Sequence, residues 1–210
     1  MAYTMTYTSL LDDIRRYLER GFTAETDLIV YEQIPRLVTM AERRISRELK
    51  VEGFIRAVQT TLTPGVSVYT KPDRWRGTIS MTAGDTVLLP RSYEFLISYW
   101  PQGGQTGDPE YYADYDYSRW LVVPTPATEQ TLQVLYYEQP RFLGDDFQVN
   151  WITEYAPDLL LYASLLEASP FLKNDERVQV WQAMYDRAAQ ALDGEDLKRI
   201  LDRSTNREEA

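Results

Sequence analysis

Hydrophobic positions return at steps of three and four over residues 8–20, TSLLDDIRRYLER, where Leu10, Leu11, Ile14 and Leu18 share one helical stripe. Thr8 or Ser9 is placed to cap this helix, Asp12 and Asp13 lie near its positive end, and Gly21 closes it. The same period governs 34–50, IPRLVTMAERRISRELK, through Leu37, Val38, Ala41, Ile45 and Leu49. Pro35 suits the first helical position. Glu42, Arg43, Arg44, Arg47, Glu48 and Lys50 are expected on the opposite, solvated side.

From about residue 54 the period drops from 3.6 to 2. TTLTPGVSVYT reads as two strands around a Pro64–Gly65 turn, and TISMTAGDTVLLP as a hairpin turned at Ala83–Gly84–Asp85. RSYEFLISYW carries helical spacing through Tyr93, Leu96, Ile97 and Trp100; two further strands are expected at 119–123 and 131–138. Between them lies PQGGQTGDPEYYADYDYS, a polar segment with four tyrosines and no Lys or Arg. Tyr111, Tyr112, Tyr115 and Tyr117, with Trp120 beyond them, either pack onto the β region or form a contact surface for a neighbouring subunit or another protein.

Helical periodicity resumes after Gly144. Asn150 can cap a helix over about 151–168, with Pro157 in its first turn and Pro170 stopping it. Leu159, Leu160, Leu161, Tyr162, Ala163, Leu165, Leu166 and Ala168 cover nearly its whole circumference, the pattern of a helix in a core or between subunits. Asn174 is expected to cap the next helix, whose stripe is Val178, Trp181, Met184 or Tyr185, Ala188 and Leu192, interrupted at Gly194. The tail then keeps Leu197, Ile200 and Leu201 as its apolar anchors. The expected fold class is α+β: a helical bundle built from both chain ends, 1–51 and 149–195, with an inserted, mainly antiparallel β subdomain at 52–148 and a C-terminal extension at 196–210.

Composition narrows the chemistry. With neither Cys nor His, disulfides, thiolate or imidazole metal sites, and Ser-His-Asp or Cys-His catalysis are excluded. An enzyme becomes the minority expectation, and no cofactor or metal is expected. Asp145–Asp146 lack the spacing of a calcium loop, and the glycines at 103, 104 and 107 precede neither a Lys-Ser/Thr pair nor a helix. Asp108, Glu110, Asp114 and Asp116 supply the carboxylates that a glycan hydrolase needs, and Tyr and Trp the platforms of a glycan-binding module; these are the rival classes. The balance of 22 basic to 32 acidic residues, net −10, disfavours stable wrapping of nucleic acid yet suits a surface past which DNA slides. The start of the chain has no basic and apolar regions of a secretion signal, and no run of 18 apolar residues suggests a membrane span.

IPRLVTMAERRISREL, residues 34–49, resembles the second helix of tailed-bacteriophage head-to-tail adaptor (connector) proteins in its Ile-Pro start, Ala-Glu pair and Arg–Glu-Leu ending. PDLLLYASLLEASPFLKNDERVQVW, residues 157–181, resembles the apolar helix, Pro break and Trp-bearing helix of the same family. The resemblance implies a ring, commonly of twelve copies, beneath the portal of a filled capsid. There it joins head to tail, and packaged DNA passes through its channel. It further implies a portal protein above, a tail or nozzle protein below, no membrane, and a place at the head–tail junction of virions assembled in the host cytoplasm. The β insertion is similar to that of the larger adaptors of short-tailed phages. On this resemblance the C-terminal segment docks the portal, with Leu197, Ile200 and Leu201 as apolar contacts and Lys198, Arg199 and Arg203 pairing with acidic groups.

Overall fold

A computed structural model describes residues 4–101, 105–172 and 177–208, the last helix by its backbone alone from 196. The chain is α+β, with six α-helices and nine strands among the described residues. Contacts divide it into two units: the terminal parts, up to Phe54 and from Pro140, and the segment Ile55–Gln139. Among the described residues no helix is long and apolar enough to cross a membrane.

In the first unit, helix α1 (Tyr7–Leu18) begins earlier than its sequence pattern indicates, because Thr6 caps it: its hydroxyl accepts from Ser9 N–H at 3.2 Å while Ser9 Oγ accepts from Thr6 N–H at 2.9 Å. Helix α2 runs from Ala24 to Glu48 with a non-helical kink at Asp27, so Pro35 lies inside it and not at its start. The buried stripe accordingly starts at Val30 and continues through Ile34, Leu37, Val38, Ala41 and Ile45. A proline costs one intrahelical hydrogen bond, which burial of the residues around it offsets. Between α1 and α2, Gly21 adopts φ 70°, and a Cβ there would stand 2.9 Å from Val30 Cγ1.

The single helix expected over 151–168 is two, α4 (Trp151–Tyr155) and α5 (Pro157–Leu172). Asn150 caps α4 as expected, its side chain accepting from Ile152 and Thr153 N–H at 3.0 and 3.2 Å. Pro157 disfavours helical backbone at the residue before it, and Ala156 breaks the run at φ −140°, ψ 54°. Pro170 falls inside α5, two residues from its end, and does not stop it. α5 packs on α1, α2, α4 and the last helix, α6 (Val178–Glu208). Leu159, Leu160, Ala163, Leu165 and Ala168 are thereby buried within one chain. Most of its apolar surface is thus used inside the chain, while Phe171, near its end, is 40% exposed. α6 passes through Gly194 without interruption, and the expected cap at Asn174 lies outside the described residues.

The second unit is a seven-stranded sheet of order β1-β9-β3-β4-β6-β7-β2, with β1 (Ile55–Leu62), β2 (Val68–Thr70), β3 (Trp75–Ala83), β4 (Thr86–Pro90), β6 (Tyr111–Asp114), β7 (Arg119–Val123) and β9 (Gln130–Glu138). β5 (Thr106–Gly107) and β8 (Thr125–Pro126) form a separate parallel pair. The β3–β4 hairpin at Gly84–Asp85 is as expected, and so is helix α3 (Tyr93–Tyr99), which carries the chain across to the parallel β4–β6 pairing. β1 and β2 flank the Pro64–Gly65 turn but do not pair: β1 lies on β9 and β2 on β7.

That pairing forces the sheet to curl. β1 and β2 occupy its opposite edges, which in a flat sheet of seven strands would stand about 29 Å apart (six spacings of about 4.8 Å). The five residues between Leu62 and Val68 span at most about 21 Å. The edges are therefore drawn together, and Leu62, Tyr69, Met81, Leu88, Tyr112, Trp120, Val122, Leu132 and Val134, from all seven strands, share one core.

Candidate functional site

The tyrosine-rich segment is ordered by a buried lysine that sequence reading passes over. Lys71, just beyond β2, has its side chain almost wholly buried, its ammonium 2.7 Å from Asp114 Oδ1, 3.0 Å from the Asp116 carbonyl and 3.6 Å from the centre of the Trp75 ring. Its N–H donates to Ser118 O at 2.7 Å, so both its ends hold the β6–β7 loop. Inside the loop Asp116 accepts from Arg119 Nε at 2.7 Å and from Ser118 N–H at 2.8 Å. Arg119, first, and the Ser118 donors hold its carboxyl at about 2, below the usual carboxylate range.

This scaffold sorts the candidate aromatic residues. Trp120 is 1% exposed and Tyr112 is also buried; both belong to the sheet core, where Trp120 Nε1 donates to Thr78 Oγ1 at 3.0 Å. They are unavailable as contacts, because burial in the core already uses their surface. Tyr111 is half-buried against Trp100, with ring centres 5.5 Å apart. Tyr115 is 40% exposed and meets Tyr93 edge-on at 5.6 Å, while Tyr117 is 83% exposed at the tip. Tyr93, Ile97, Trp100, Tyr115, Leu121 and Val123 line a cup of about 350 Å³ beside this tip.

The acidic residues of the same segment are not convergent. Asp114 is held by Lys71, Asp116 by Arg119, and Asp108 by Gln130 Nε2 at 3.0 Å, each on its own partner. Asp145 and Asp146 are exposed in a turn. Among the described residues no group of three or more acidic side chains could hold a metal ion.

In the helical unit the outward row of α2 differs from expectation at one residue. Glu42 is fully buried rather than solvated. Both its oxygens accept from Leu143 N–H at 3.2 Å, and Oε1 also accepts from Asn150 Nδ2 at 2.7 Å. Burial outweighs these donors and pushes its carboxyl up to about 7. Val38, Glu42, Ile45 and Leu49 follow the four-three-four spacing of a buried seam, a signal that could have placed Glu42 inward. Arg44 binds Glu167 at 2.9 Å and approaches Glu48 at 3.7 Å, and the Tyr185 hydroxyl donates to Glu48. Burial and that neighbouring carboxylate push the Tyr185 hydroxyl up. On α6, Trp181, Tyr185 and Leu192 are buried. Leu197, Lys198, Arg199, Ile200, Leu201 and Arg203 have helical backbone, and their side chains lie outside the described residues.

What the geometry provides is a braced aromatic tip, charged helix faces and a long terminal helix. The sequence matches the SU10 adaptor protein family over residues 5–207, across both units. The chain belongs to that family, one of phage head-to-tail adaptors. No curated protein matches the chain.

Proposed function

We propose that the chain is a structural virion protein that forms a ring, of twelve copies, beneath the portal, joins capsid to tail and lines the channel through which DNA leaves the head. Membership of the adaptor family over 5–207 carries this reading. In it the helices of the two terminal parts act as one bundle at the head side, and the β unit, 52–148 by the sequence boundaries, as the part that meets the tail or nozzle protein. The ring takes its place at the head–tail junction, assembling in the host cytoplasm.

Portal docking is assigned to the C-terminal segment. α6 is 31 residues, about 46 Å of helix, against about 24 Å for the 16 residues of α5. Among the described side chains, Trp181, Tyr185 and Leu192 anchor the part of α6 that truncation after residue 195 retains. Deleting 196–210 removes helix as far as Glu208, so far-ultraviolet circular dichroism per residue should fall slightly while the remaining chain keeps a cooperative unfolding transition. Retention on immobilised portal should fall at least about a hundredfold, as for loss of several anchors. Undiminished retention would reject the assignment.

Tail contact is assigned to the braced tip. Tyr115 and Tyr117 are held by Asp116, Arg119 and Lys71 before any partner arrives, so little freedom is lost on binding. Replacing both with Ser should weaken attachment of tails to filled heads by about tenfold or more, the scale of an aromatic hot spot. Tailed particles at the normal yield, counted by electron microscopy, would count against it.

A further inference from the structure

The outward face of α2 collects cations in a chain of net charge −10. Ile29, Arg36, Met40, Arg43 and Arg47 follow one another at steps of seven, four, three and four, which places them on one side, opposite the buried stripe. Arg36, Arg43 and Arg47 are exposed, and Ile29 is 73% exposed at the end of the row. The Arg43 guanidinium is steadied 5.2 Å above the Phe142 ring. Met40, Arg43, Arg44, Arg47, Glu48 and Glu167 line a groove of about 380 Å³ there. Its two carboxylates are engaged by Arg44 and Tyr185. Among the described residues no carboxylate forms an ion pair with Arg36, Arg43 or Arg47.

One end of the curled sheet carries the opposite charge. Gly84 N–H donates to Thr131 O at 2.8 Å, and Gln130 Nε2 to Asp108 Oδ1 at 3.0 Å. These bonds bring together the turn bearing Asp85, the strand end bearing Glu129, and Asp108. All three carboxylates are exposed, and among the described residues no cation forms an ion pair with them. Like charges gathered on one surface repel, and an opposing surface relieves both clusters at once.

We infer that the Arg36–Arg43–Arg47 face of α2 in one copy docks on the Asp85–Asp108–Glu129 end of the sheet in the next copy. This rests on the ring reading and names its contact. The two patches differ, so the interface is heterologous, the kind that forms a ring when its rotation closes on itself. A second copy fits better than duplex phosphate because Glu48 and Glu167 share the groove with Met40, and Ile29 extends the row with apolar surface.

The test uses the full chain, with particle mass read by analytical ultracentrifugation with and without purified portal. R43E/R47E, and separately D85K/D108K/E129K, should each raise the concentration needed for assembly by about tenfold or more, as lost complementarity between charged faces does. Both changes combined should bring it back to within about threefold of wild type, and added salt should weaken wild-type assembly. Circular dichroism checks that each variant folds, which its exposed positions favour. Rings indifferent to both changes, or no recovery in the combination, would overturn this contact and leave the ring standing. Intact assembly with lost retention on duplex DNA would overturn it in favour of a phosphate-facing surface. Wild-type chain that stays monomeric with portal present removes the ring reading and this contact together.

Discussion

Lowering the pH from 7.5 to 4.5 is expected to stabilise the helical unit of the wild-type chain relative to Glu42→Gln by on the order of 3 kcal/mol. The sign follows from where the proton is held. Glu42 titrates near 7 when folded against 4.5 ordinarily, so between those values the folded chain keeps a proton that the unfolded chain has lost. Stability from this group is complete below about 4.5, declines as pH rises toward 7, and is flat beyond. The cause is burial: the side chain is 0% exposed, and its bonds from Leu143 and Asn150 offset only part of the lost hydration. The amide of the variant cannot titrate, so the difference between the two proteins isolates the group from the other carboxylates. Urea unfolding followed by tryptophan emission over that pH range measures it. A difference that stays constant with pH would mean that Glu42 is hydrated or paired in solution.

The other large effect lies in the β unit. Trp120→Ala should cost about 3–5 kcal/mol of unfolding free energy, the range for removing a large aromatic residue from a packed core. Trp120 fills the centre of the curled sheet, meets Trp75 edge-on with ring centres 6.4 Å apart, and donates to Thr78. Tyr117→Ser, three residues earlier, removes a ring that is 83% exposed and should change stability by less than about 0.5 kcal/mol. The pair separates support from contact: the first substitution lowers the denaturation midpoint, the second only partner binding. Near-wild-type stability of Trp120→Ala would put that ring outside the core.

Periodicity made the elements legible where one face is buried and the other wet. The α1 stripe, the β3–β4 hairpin, α3, and the strands at 119–123 and 131–138 follow from local pattern. Partner choice did not, because pairing is settled by distant residues: β1 and β2 look like a hairpin but take β9 and β7 as neighbours. The prolines misled for a related reason. Pro35 and Pro170 are tolerated inside helices whose burial compensates for a missing bond, whereas Pro157, with no greater local signal, marks a real start. At the candidate sites, the exposure of Tyr117 and the burial of Tyr112 are equivalent in sequence, both being tyrosines among acidic residues. Lys71 was invisible because a lone lysine between Thr70 and Pro72 has no sequence mark of the Asp114 and Trp75 that receive it.

The central places of β9 and α5 have a consequence for synthesis. β9 sits between β1 and β3, so Ile55 waits for Tyr137, and no sheet with its core can close until about residue 138 has left the ribosome. The helical unit waits longer, since the inward row of α2 has little to cover it before α5 is made. For more than a hundred residues of translation the stripe from Val30 to Ile45 stands open to water, with Glu42 free to ionise among its apolar neighbours. The group that burdens the finished core gives up its hydration only when Leu143 and Asn150, made about a hundred residues later, arrive with donors.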